Sequence, residues 1–156
     1  MGEQKSAKAI LDEQDHRALA TWAADCAGHV LPTFEKMVPH DDRPRKAIEA
    51  ARLWVQGALP MVEARKAAFA AHAAARDAQD VTAQLAARAA GHAAATAHVA
   101  DHARHAADYA LKAVASAESS GGSAVAERDW QYQRLPEHLR PVIFPSPFQA
   151  IRPRRQ

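Results

Sequence analysis

Four imidazoles and a phenol recur along one stretch of the chain, as His92, His98, His102, His105 and Tyr109. At 100° per residue, His98, His102, His105 and Tyr109 fall within an arc of roughly 60°, which makes them one row on a helix. A His-x-x-x-His pair such as His98 and His102 brings two imidazoles to one helical face, where they could share a divalent metal. Asp101 and His105 are near enough in sequence to suggest a third ligand. A catalytic zinc site also needs a general base, and no His-Glu-x-x-His pattern accompanies the pair. Two other uses compete: a polar network or partner-binding ridge, and plain interhelical packing. The reading adopted is the network or ridge, with no metal and no cofactor assigned; His98 and His102 remain the only metal candidates.

A second cluster is Arg43-Pro44-Arg45 behind Asp41-Asp42. A planar guanidinium suits a bidentate grip on carboxylate or phosphate. The reading favoured here is local: Arg45 pairs with Glu49 along the helix, and the aspartates cap it. Cys26 lies within an apolar stripe and reads as a buried, inert thiol. Trp54 reads as core, and His72 as a half-buried packing histidine sharing a face with Val62, Phe69 and Ala73. The chain has no Gly-rich phosphate loop, Gly-x-Ser-x-Gly elbow or Cys–His nucleophile pattern. It is therefore read as a non-enzyme.

The elements that must position these groups are helices. Alanine supplies 40 of the 156 residues and aromatics only 6%. Alanine is the best helix former because its side chain loses no entropy on ordering, but it buries little area. Helices must then approach closely, with Trp22, Phe34, Ile48, Trp54, Phe69, Leu85, Tyr109 and Leu111 as anchors. Asp12 can cap a helix that Pro32 ends or bends. Pro44 suits the first turn of the next, which Gly57 stops. Pro60 begins a third helix, running to about Asp77. From the Asp80 cap to Ala117 one unbroken helix would be about 55 Å long, too long for a domain of this size. A break is expected near Gly91, which would set His92 at a helix start.

Ser119 to Ser123 reads as a flexible link, followed by a helix from Ala124 to about Arg134 and one further turn through Pro141. Residues 143–156 are too rich in proline for a helix and form a strap laid down by Phe144 and Phe148, or an arm. The expected architecture is all-α: a compact Ala-rich bundle of six to seven helices in one domain over 1–156, with 1–11 loose and an extended Pro/Arg-rich tail.

Charge narrows the partners. There are 20 Lys and Arg against 18 Asp and Glu, for a net +2. Residues 130–156 carry five Arg and one Glu, or +4, which leaves −2 for residues 1–129. Arg152, Arg154 and Arg155 lack interleaved aromatics, so a nucleic-acid partner is not expected. No apolar run approaches a membrane span, the first residues lack the apolar core of a secretory signal, and Cys26 stands alone. These point to a cytoplasmic protein.

Four stretches carry a resemblance. They are Trp22 to Ala27 with His29-Val30-Leu31-Pro32; Asp42 to Glu49; Gly91 to Val99 with His102-Ala103; and Glu127-Arg128 with Trp130-Gln131 and Leu135-Pro136. In that order, over about residues 17–141, the chain resembles bacterial immunity proteins of the fifth numbered class of polymorphic toxin systems. The resemblance implies an all-helical cytoplasmic protein that binds and neutralises a cognate toxin. It carries over the polar positions Arg43, Arg45, His92, His98 and His102, without roles. The alternative reading is a metal- or small-ligand-binding helical protein, or an enzyme, built on His92, His98 and His102.

Overall fold

A computed structural model describes residues 11–117 and 121–145. Among them lie seven α-helices and no strand: α1 (Glu13–Met37), α2 (Arg43–Val55), α3 (Met61–Asp77), α4 (Val81–Ala95), α5 (His102–Ala117), α6 (Gly121–Arg134) and α7 (Arg140–Ile143). A short 3-10 turn, Glu137–Leu139, precedes α7. The all-α expectation holds, and so does the alanine-based packing.

Most helix starts follow local chemistry. Asp12 and Asp15 form a reciprocal capping box at α1. Asp80 accepts from Ala83 N at 2.9 Å to open α4. Pro44 occupies the first turn of α2, and Gly57 beyond its end adopts φ +78°.

The most enclosed helix is also the barest. In α4, Ala83, Ala86, Ala87, Ala89, Ala90, Gly91, Ala93 and Ala94 are all buried. It packs against α1, α2, α3 and α5 at once. Small side chains let four neighbours approach one rod, so alanine supplies contact through proximity rather than bulk. Large residues sit on the perimeter of that contact. Trp22, Phe34 and Leu19 of α1 are buried, with Leu135 and Leu139 beyond α6. Trp22 Nε1 donates to Gln131 O at 2.8 Å, and Gln131 Nε2 donates to Ala107 O at 2.9 Å. One residue of α6 thus ties α1 and α5 together, through its carbonyl to Trp22 and its side-chain amide to Ala107.

Several expectations need correction. Pro32 does not end α1, which continues to Met37. Pro32 is exposed, so the Gly28 carbonyl that loses its helical partner can turn to solvent. Phe69 is not an anchor: it is 60% exposed, with the Arg65 guanidinium 5.5 Å from its ring centre. Gly121 to Ser123 belong to α6 rather than to a link. Phe144 is buried edge-on to Trp22, with ring centres 6.2 Å apart. Phe148 and the tail arginines lie outside the described residues, as does the lead-in through Ile10.

The long helical run does break, but at Thr96 to Asp101 rather than near Gly91. Thr96 Oγ1 donates back to His92 O at 2.9 Å, and Ala97 and His98 make tightened turns onto Ala94 and Ala95. His16 Nε2 donates to Thr96 O at 2.6 Å, so α1 satisfies a carbonyl that the turn leaves free. His92 consequently sits in the last turn of α4, not at a helix start.

Candidate functional site

Because the chain reverses at Thr96, α4 and α5 lie side by side and their histidines meet. His92 Nδ1 lies 3.0 Å from His102 Nδ1. One nitrogen must donate and the other accept, so a single proton fits between them. The His92 ring stacks on Tyr109 at 5.2 Å and 10°, and lies 5.3 Å from His105. His102 and His105 are 6.0 Å apart, centre to centre. Lys112 Nζ sits 4.8 Å from the centre of the Tyr109 ring on its own helix.

A third helix contributes His72, whose ring meets His92 edge-on at 5.0 Å. Arg88 Nη1 donates to His72 Nδ1 at 2.8 Å. A guanidinium can only donate, so His72 Nδ1 carries no proton and the ring is neutral. Gly91 makes this approach possible. A Cβ there would lie 2.7 Å from Cε1 and Nε2 of His72 and 2.9 Å from Cδ2. The glycine is thus a seat for the imidazole, not a hinge.

Burial keeps these rings uncharged. Desolvation, aided by the Arg88 and Arg76 charges, lowers the His72 pKa to about 4. Desolvation and the surrounding imidazoles lower that of His92 to about 3. His102 is also lowered, chiefly by burial and then by His105. The arrangement suits neutral hydrogen bonding and ring stacking rather than acid catalysis near neutrality. Among the described residues, no group of three or more His, Cys, Asp or Glu side chains is arranged to hold a metal ion.

The expected single row is therefore only partly one helix. His102, His105 and Tyr109 share α5, while His98 precedes it, exposed, in the connection. His98 joins His72 and His102 in lining a groove of about 300 Å³, with Arg65, Phe69 and Val99. Arg43 and Arg45 pair elsewhere. Arg43 bridges Asp41 at 2.7 Å and Asp77 at 3.0 Å. Arg45 makes a bidentate pair with Glu35, both contacts 2.6 Å, instead of the expected Glu49. Their guanidinium groups hold the Asp41 and Glu35 carboxyls below the usual range. Trp54 is half-buried and tilted against His16 at 4.8 Å.

Arg88 and His16 escaped the sequence reading, and the part His72 plays was visible only as packing. A glycine inside the alanine run at Gly91 was the available signal: a helix interior tolerates glycine where another group must come close.

An alanine-rich helical bundle with neutral imidazoles gathered where three helices meet is a scaffold with a groove beside it. The chain belongs to the Imm-5 like putative immunity protein family, whose family model matches residues 9–138. Among curated proteins and solved structures, nothing matches the chain.

Proposed function

We propose that the chain is a non-enzymatic immunity protein that binds a bacterial toxin and neutralises it in the cytoplasm of the cell that makes both. The family match over residues 9–138 is the observation that carries this reading. The neutral, mutually bonded imidazoles are consistent with it, since they stabilise a junction and hold no proton ready near neutral pH. Neutralisation by occupancy requires about 800 Å² of surface on each partner.

Co-expression with the toxin-like product of the adjacent gene tests the proposal. Growth should be restored, and the two chains should purify as a stoichiometric complex. A neighbourhood with no toxin-like gene, or growth arrest unrelieved by the chain, contradicts it.

The 3.0 Å approach of His92 Nδ1 to His102 Nδ1 favours a second reading, a metal-binding helical protein, because two ligands of one ion stand at about that separation. A hydrogen bond accounts for the same distance. Elemental analysis of untagged protein decides: stoichiometric zinc, iron or nickel that disappears in His92→Ala and His102→Ala variants would establish the second reading.

A further inference from the structure

Seven of the eleven described arginines are paired with carboxylates: Arg17, Arg43, Arg45, Arg52, Arg104, Arg128 and Arg134. Arg140 spends its guanidinium on the Tyr132, Leu135 and Gln133 carbonyls. The other three, Arg65, Arg76 and Arg88, have no carboxylate within 4.0 Å among the described residues, and all three belong to α3 or α4 beside the imidazole cluster. Arg88 turns instead to His72, and Arg65 to the face of Phe69. The nearby acids are already engaged, Glu63 with Lys66 and Asp101 with Arg104.

The same region exposes apolar surface. Phe69 is 60% exposed and Val99 43%, and both line the histidine groove; Val62, two turns before Phe69 on α3, is 55% exposed. A phenyl ring in water beside unneutralised guanidinium groups is an unusual expense for a free surface. Another groove of similar size, lined by Met37, Asp41, Asp77 and Asp80, offers carboxylates instead, two of them bridged by Arg43, and among the described residues no guanidinium stands in its lining.

We infer that the groove between α3 and the α4–α5 connection is the docking surface for an acidic segment of the partner protein, with carboxylates meeting Arg65 and an apolar side chain set between Phe69 and Val99. The charge complementarity selects this occupant. A partner carboxylate gains a bidentate fork from Arg65, and His98 at the rim offers a further polar contact. Phe69 and Arg65 are residue types that anchor interfaces when desolvated. The inference rests on the immunity reading for the identity of the partner, but its chemistry can be tested separately.

The test uses a short fluorescein-labelled peptide of alternating acidic and apolar residues, its counterpart with Lys replacing every acid, and a single-stranded oligonucleotide. Fluorescence anisotropy is recorded with the full chain and with Arg65→Glu, Phe69→Ala and the distant control Arg134→Glu. Both groove positions are exposed, so the variants should keep the parent's circular dichroism and melting point. The acidic peptide should bind, weaken by about tenfold or more in the two groove variants, and be unaffected by Arg134→Glu. Absence of binding, equal binding by the groove variants, or preference for the Lys peptide or the oligonucleotide overturns the inference. Toxin protection separates the two readings. Undiminished protection by Arg65→Glu and Phe69→Ala would sink the groove and leave the immunity role standing. Loss of peptide binding in the groove variants, with no protection by the parent chain, would sink the immunity role and leave the groove.

Discussion

A methyl group at position 91 would come within 2.7 Å of two atoms of the His72 ring, nearer than carbon atoms are found. The ring has nowhere easy to go, because Arg88 holds its Nδ1 and the His92 ring stands against it in a T-shaped pair. Gly91→Ala should therefore destabilise the protein by about 1–3 kcal/mol despite the better helix propensity of alanine. Urea unfolding measures it; a variant as stable as the parent, or more so, would show that His72 is not seated there. The row read from the sequence joins His98, His102, His105 and Tyr109; in the fold His98 lies apart in the connection, and His92 from α4 stands against the other three. The row does not reveal His72 and Arg88, which arrive from elsewhere in the chain and are brought in by packing alone. The arginine pairs went the same way. Arg45 has Glu49 one turn along its own helix, yet it takes Glu35 on α1, a choice set by how α1 and α2 lie together.

Helix starts were legible because caps act within four residues of themselves, as at Asp12, Pro44 and Asp80. That the run after Asp80 must break was legible from its length, but the place was not, because it depends on Thr96 bonding back onto its own helix and on His16, 80 residues away, donating to the freed carbonyl. Gly91 misled for a related reason: glycine marks both hinges and close approaches, and only the position of α3 distinguishes them. The closing helix α6 depends on Gln131, buried at 0% exposure between Trp22 and Ala107. Its side chain also accepts from Arg128 Nη1 at 3.0 Å, while the buried Arg128 Nε has no partner among the described residues. Gln131→Leu removes the bond to Ala107 O and deprives Arg128 of an acceptor, for an expected loss of about 1–3 kcal/mol. Hydrogen exchange should show the loss first in α6. Uniform protection across the helices, with unchanged stability, would contradict this.

Acid should loosen the bundle as a whole. An unfolded imidazole takes up its proton near 6.5, whereas in the fold His72 does so at about 4 and His92 at about 3. Across that window the unfolded chain binds more protons, so stability is greatest above pH 6.5 and falls as the pH drops. Asp15, Glu35, Asp41 and Asp101, all held low by their basic partners, steepen the fall at the acid end. At pH 5 unfolding should take up about two protons from His72 and His92 together, and His92→Gln should remove about half of that. Denaturant titrations at several pH values measure this; a flat profile from pH 7 to 5 would mean that the rings take up protons in the fold as readily as in the unfolded chain. Burial as neutral groups fits a rigid scaffold beside the proposed docking groove, and it leaves the imidazoles without an imidazolium proton to give near neutrality. On the proposed reading, occupancy rather than turnover governs protection. The most direct check is titration of the toxin that the proposed reading requires with the purified chain, following residual toxin activity over time. The account predicts inhibition that is complete at one chain per toxin and constant with incubation. Progressive loss of toxin activity at a small fraction of equivalence would identify a catalyst and contradict it.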